Sequence, residues 1–171
     1  MSDELRKADR QLPMIRMRPN LEETLSVATT SPASVPAVDI VIPVHNEWHV
    51  LRPCLESVEA FTIYPNARIL ILDDGSDAFV RRRIEDWAAM PHAMPVEVKR
   101  NETALGFVKN ANRGFNETRG DMVALLNSDT VVTPAWLTRL VNAATSHPRI
   151  ACVMPMSNQC SFHSIDVPMG W

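Results

Sequence analysis

Three separated groups of polar residues have the types and spacing to act together: His45-Asn46-Glu47, Asp73-Asp74-Gly75-Ser76-Asp77 and Asn127-Ser128-Asp129. Each follows a short apolar run, so each falls where a strand ends and a turn begins. A carboxylate at such a place accepts hydrogen bonds from a base N–H or a ribose hydroxyl. Asp129 suits a hard cation, which takes oxygen ligands and keeps several waters when phosphates complete its shell. A carboxylate left without water, a cation or a donor is costly there. A divalent metal carrying a diphosphate supplies the partner.

Each group also has a plainer reading. Asp-Gly-Ser alone is often just a turn. His45 fits either a ligand or a structural histidine packed at a strand end. Asp73 and Asp74 are adjacent in a tight turn, so their side chains diverge: one can face a pocket while the other caps or meets solvent. Asp77 reads as a helix cap, and Lys109 and Arg113 as helix surface. Arg81-Arg82-Arg83 reads as a solvated face. It is the joint placement of these groups at successive strand ends that gives them weight.

The elements that must position them follow from periodicity. Val38 to Pro43 reads as a first strand, stopped by Pro43. A helix follows from about Glu47 to Phe61, with Pro53 expected to distort its first turn. Arg68 to Leu72 is a second strand, and the helix after it turns Phe79, Val80, Ile84 and Trp87 inward. Val96 to Lys99 is a short third strand, and a helix runs from Gly106 to about Glu117. Met122 to Leu126 reads as a buried central parallel strand. Thr133 as cap and Pro134 at the first helical position open a last helix with Trp136, Leu137, Leu140 and Val141 inward. Ile150 to Met154 is expected to be a further strand. This βαβαβαβαβ order predicts an α/β fold: a mainly parallel sheet with helices on both faces and the strand C-termini on one edge.

Composition narrows the function. The chain has 171 residues, 46% of them apolar and 22% charged, enough for one domain with a sizeable core. A net charge of −3 offers no basic footprint for nucleic acid. No apolar run approaches a membrane span, and the N-terminus lacks an apolar signal region. Three cysteines without Cys-x-x-Cys spacing argue against a disulfide framework or a zinc site and fit a reducing compartment. Cys54 and Cys152 read as core residues and Cys160 as a loop thiol. Residues 1–37, interrupted by prolines, read as a flexible tail, with one domain over 38–171.

Three motifs carry a family resemblance: Val41-Ile42-Pro43-Val44-His45-Asn46-Glu47, Ile71-Leu72-Asp73-Asp74-Gly75-Ser76-Asp77 and Leu125-Leu126-Asn127-Ser128-Asp129-Thr130. Gly106-Phe107 with Asn110, Asn112 and Gly114 lies between the second and third. In this order they resemble the nucleotide-binding half of a family 2 glycosyltransferase with the GT-A fold, over about Val38 to Asn158. The resemblance implies a Rossmann-like half that binds a nucleoside-diphosphate sugar. Pro43, His45, Glu47, Asp73, Asp74 and Asn127 would contact the nucleotide, and Asp129 would bind Mg²⁺ or Mn²⁺. It implies inverting, metal-assisted transfer to a glycan or lipid-linked acceptor. The lack of a signal region and the place where nucleotide sugars are made lead to the expectation of a cytoplasmic protein, with membrane contact at most peripheral at the inner face.

Two departures qualify it. Asn127 stands where the metal motif usually opens with Asp, which removes one negative charge. The family's acceptor-side sheet and its carboxylate base lie further along than Trp171. No residue here matches that base, Asp166 included, so the chain is expected to be a donor-binding half, incomplete at its C-terminus. The alternative is a module that binds a nucleotide sugar without turnover. A nucleotidyltransferase ranks lower because the loop after the first strand has neither glycine nor lysine. A phosphoacceptor receiver domain lacks its late-strand lysine.

Overall fold

The structure is a computed structural model that describes residues 35–158. The expected tail, apart from residues 35–37, lies outside the described residues, as do Cys160 and Asp166. Four strands, β1 (Val38–Val44), β2 (Ala67–Asp73), β3 (Val96–Arg100) and β4 (Met122–Leu125), form one parallel sheet in the order β3-β2-β1-β4. The helices are α1 (Trp48–Phe61), α2 (Ala78–Ala88), α3 (Phe107–Glu117) and α4 (Trp136–Thr145).

Handedness fixes which face each helix covers. The chain steps outward from β1 to β2 to β3 through α1 and α2, then reverses and crosses to the far side of β1. Right-handed crossovers put helices on opposite faces for opposite directions of travel. On one face, Ile40, Ile42, Ile69 and Ile71 pack with Leu51, Leu55 and Val58 of α1, Val80, Ile84 and Trp87 of α2, and Leu137 and Val141 of α4. On the other, Val41, Leu70 and Leu72 form a smaller core beneath α3. Gly114 allows that close approach: a β-carbon on it would lie 2.3 Å from Leu72 Cδ1. Helices therefore cover both faces, as expected of this α/β pattern.

Several expectations are corrected. β4 is an edge strand of the described sheet, paired only with β1, and Val123 and Leu125 are more than a third exposed. Its apolar sequence suits a central position; among the described residues no strand pairs with its outer side. Pro43 does not stop β1, which continues to Val44. Leu126 N–H donates to Val41 O and Asp74 N–H to Val44 O. By alternation the Pro43 nitrogen faces the β4 side, beyond the end of that ladder. Ile150 to Met154 forms no strand and is mostly exposed, because an apolar run becomes a strand only where a ladder takes up its backbone. Cys152 is accordingly exposed, whereas Cys54 is buried.

Phe79 points outward with Arg83 over its ring at 5.2 Å, because Val80, Ile84 and Trp87 already define the inner stripe of α2. Thr133 does not cap α4. Ala135, in the left-handed region at φ 61°, precedes the helix and leaves it without a side-chain cap. Pro53 is tolerated on the exposed side of α1. The first turn of α1 is tightened instead, with the N–H groups of Val50 and Leu51 both on Glu47 O at 3.1 and 3.2 Å.

Candidate functional site

All four strands point their C-termini to one rim, and the three polar groups open there, after Val44, Asp73 and Leu125. β1 lies between β2 and β4, so chain direction reverses beside it. In open α/β sheets ligands settle in the crevice at such a reversal. Pro43 is buried next to the last residue of β1, and His45 and Glu47 are exposed just past its end.

The first two loops are stitched together crosswise. His45 Nδ1 donates to Asp74 O at 2.7 Å, which leaves Nε2 as the acceptor for the Asn46 side-chain amide at 3.2 Å. Asn46 N–H donates to Ser76 Oγ at 2.8 Å, and Asp77 N–H donates back to Asn46 Oδ1 at 2.9 Å. Asp77 caps α2 by accepting Val80 N–H at 2.8 Å, as expected. Asn46 and Glu47 occupy the left-handed region, with φ of 58° and 56°. Such strain persists only where surrounding bonds enforce it, and the Asn46 bonds do so.

Asp73 and Asp74 diverge, but both carboxylates are buried and neither meets open solvent. Asp73 Oδ1 accepts Ser76 N–H at 2.9 Å, and Oδ2 pairs with Arg100, whose other terminal nitrogen donates to Ser76 O at 2.8 Å. Asp74 holds the next loop. It accepts Asn101 Nδ2 at 2.7 Å, Leu105 N–H at 2.8 Å and Gly106 N–H at 2.8 Å. Burial pushes its pKa up, but these bonds and nearby His45 prevail, so its carboxyl sits below the ordinary value. Gly75, at φ +67°, lies so close under this loop that a β-carbon would come within 2.7 Å of Ala104 N.

A buried polar chain continues inward. Asn101 Nδ2 also donates to Asn110 Oδ1 at 3.0 Å, and the fully buried Asn110 donates to Leu72 O at 2.9 Å. Arg113, read from sequence as helix surface, is half-buried and donates to Asn101 Oδ1.

The third group is different in character. Asn127 and Asp129 are exposed, and Thr130 N–H closes a turn onto Asn127 O at 3.1 Å. The Asp129 carboxylate makes no hydrogen bond or ion pair with any described residue. No group of three or more His, Cys, Asp or Glu able to hold a metal exists among the described residues. A single unengaged carboxylate cannot hold a divalent cation firmly, but it fits a Mg²⁺-like ion that takes its remaining ligands from phosphates and water. Behind the turn, burial pushes the Cys54 thiol up to about 12; the Thr130 backbone opposes this and the Asp129 charge adds to it.

A model of glycosyl transferase family 2 matches residues 39–168, a span that contains all three loops. The chain belongs to glycosyltransferase family 2. Among relatives, the putative glycosyltransferase EpsH of Bacillus subtilis is 31% identical over 109 residues, covering 64% of this chain and 30% of EpsH. The undecaprenyl-phosphate 4-deoxy-4-formamido-L-arabinose transferase of Aeromonas hydrophila is 32% identical over 127 residues, covering 73% of this chain and 39% of that one. The mannosyltransferase PcManGT of Pyrobaculum calidifontis, solved with GDP-Man and Mn²⁺, superposes with a TM-score of 0.61 at 15% identity, covering 72% of this chain and 38% of that one. S. aureus TarS 1–349, solved with UDP-GlcNAc, gives 0.57 at 18% identity, covering 65% and 32%. The fold is that of GT-A glycosyltransferases. The chain spans about a third or less of the first relatives it matches.

Within this family 2 domain, the quoted motifs already contain Ser76 and Asn110, but the sequence does not show the bonds by which these two, with Arg100 and Asn101, shape the rim. A signal existed for Asn110, a polar residue among the α3 positions that face the sheet. Arg100 ends β3, where nothing in the sequence marks it as the partner of Asp73.

Proposed function

We propose that the chain binds a nucleoside-diphosphate sugar at the rim and supplies the donor side of an inverting, metal-assisted glycosyl transfer. The observation that carries this reading is the exposed, unengaged carboxylate of Asp129, set beside the β1–β4 reversal in a family 2 glycosyltransferase domain. Pro43, His45 and Glu47 line the nucleotide, and Asn127 reaches the ribose. Asp73, buried and engaged by Ser76 and Arg100, contributes by fixing the loop after β2 that borders the nucleotide rather than by meeting the base. Asp74 contributes by holding the loop that ends at Gly106. A divalent ion, when bound, would act as a Lewis acid toward the departing diphosphate; Asp129 is the residue that would hold it. Mn²⁺ in the PcManGT complex supports this use of a cation, and the two neighbours' donors, GDP-Man and UDP-GlcNAc, leave the base open.

The acceptor in this reading is a glycan or a lipid-linked sugar, in line with the undecaprenyl-phosphate transferase among the relatives. Among the described residues no helix is long and apolar enough to cross a membrane. The reading places the domain in the cytoplasm, where it would meet nucleotide sugars, with membrane contact at most peripheral. No residue of the chain is assigned as the base that deprotonates the acceptor.

Calorimetric titration of UDP and GDP, with and without Mn²⁺, tests the proposal. At least one should bind, and His45→Ala and Glu47→Ala should each weaken it. Absence of binding by either nucleotide, or variants that bind as tightly as wild type, would remove the rim from donor recognition.

A further inference from the structure

Asp129 has no side-chain partner of its own, yet a metal ligand must be held in place. The residues that can do so lie behind its loop, on α1. Ser57 and Cys54 are three apart and share the buried face of that helix. Ser57 Oγ accepts Val132 N–H at 3.0 Å and donates to Cys54 O at 2.8 Å. Cys54 Sγ–H donates to Asn127 O at 3.6 Å. One side chain therefore grips the loop at Asn127 and the other at Val132. The four residues between, Asp129 among them, bulge toward the rim from two fixed points.

These bonds are not ordinary core packing. Ser57 is a buried hydroxyl on a helix face otherwise lined by Leu51, Leu55 and Val58. Both its bonding capacities are used, one on its own helix and one on the loop. Val132 is itself buried, so its N–H would find no water if Ser57 lost its oxygen.

We propose that Ser57 and Cys54 are positioning residues that preset the Asn127–Val132 loop so that Asp129 meets a diphosphate-bound cation without reorganising. The inference rests on Asp129 being the cation ligand, as proposed above. It concerns how tightly the cation is shared, not whether the nucleotide is recognised. Loss of such supporting bonds typically costs a metal site tenfold or more in affinity.

The test compares wild type, Asp129→Ala, Ser57→Ala, Ser57→Thr and Cys54→Ala as full chains. UDP and GDP affinities are measured by calorimetry without metal and with Mn²⁺. Mn²⁺ uptake in the presence of nucleotide is read separately from the loss of the free-ion electron paramagnetic resonance signal. Ser57→Ala should reduce the Mn²⁺-dependent gain in affinity about tenfold, with metal-free affinity unchanged within twofold. Ser57→Thr, which keeps the hydroxyl, should recover most of the gain. Should Ser57→Ala fail to fold, Cys54→Ala carries the same expectation, with a smaller loss.

If Asp129→Ala abolishes the gain while Ser57→Ala and Cys54→Ala retain it, the positioning role is overturned and the cation assignment stands. If Asp129→Ala retains the gain, both fail. Equal loss with and without Mn²⁺ in the Ser57 and Cys54 variants would show general destabilisation and also overturn the role.

Discussion

Asp39 fixes the sheet from the end opposite the rim, and its replacement gives a quantitative test of how β4 is held against β1. The carboxylate is buried at the second position of β1. It accepts Arg68 Nε at 2.7 Å and Nη2 at 3.0 Å, together with the N–H groups of Arg119 at 2.5 Å and Gly120 at 3.0 Å. Arg68 belongs to β2, while Arg119 and Gly120 form the turn into β4, so one side chain ties three strands. Burial pushes the Asp39 pKa up, but these four bonds outweigh it and bring it from 3.8 down to about 2. At roughly 1.4 kcal/mol per pH unit, that gap corresponds to about 2 kcal/mol of stability. Because the folded value lies below the unfolded one, this contribution is complete above the unfolded pKa. It disappears as pH falls through 3.8 toward 2.

Urea unfolding of wild type and Asp39→Asn across this range isolates the effect, since every other carboxylate titrates in both. Asp39→Asn should be less stable at pH 6 by about 2 kcal/mol. The difference between the two proteins should narrow by about 1 kcal/mol on going to pH 3. A difference that stays constant over that interval would mean that the ionised carboxylate does not hold these strands together.

Three further outcomes are expected. Asp74→Ala strands the donors of Asn101, Leu105 and Gly106; it should lower stability by about 2 kcal/mol and weaken nucleotide binding, as read by thermal melts and calorimetry. Gly114→Ala, whose β-carbon would lie 2.3 Å from Leu72 Cδ1 and 3.0 Å from Val41 Cγ1, should cost about 1–3 kcal/mol in urea unfolding. Cys54, buried and with its thiol pushed up to about 12, should resist alkylation at pH 8 while exposed Cys152 reacts. Mass spectrometry of the labelled peptides would show both cysteines modified if Cys54 were accessible.

Much of the architecture was readable because period and punctuation agree. Alternation of short apolar runs with helical stripes located every described helix within a few residues, and the polar groups after β1, β2 and β4 marked the rim. Lateral order was not readable: Met122 to Leu125 is as apolar as a central strand, yet among the described residues it pairs only with β1. Ile150 to Met154 fails for a related reason, since apolar character does not supply a ladder partner. Caps were misjudged where backbone conformation overrides side-chain chemistry. Ala135 rather than Thr133 precedes α4, and Glu47 enters α1 in a left-handed conformation. The Asp74–Asn101–Asn110 chain was hidden because its members are separated along the polypeptide and no single one is unusual. Cys54 reads as a core residue and nothing in the sequence marks Ser57, since a hydrogen bond to a distant backbone group leaves no local mark.

If the loops after β1, β2 and β4 form one site for a cation-bound nucleoside diphosphate, as proposed, paramagnetic broadening by Mn²⁺ in the presence of UDP or GDP should reveal it. Amide signals of Ser128, Asp129 and Thr130, and next those of His45 and Asn46, should weaken only when nucleotide is present, while those of Asp39, Arg119 and Gly120 at the opposite end stay sharp. Broadening centred on the Asp39 end, or broadening around Asp129 that needs no nucleotide and never reaches His45, would contradict it.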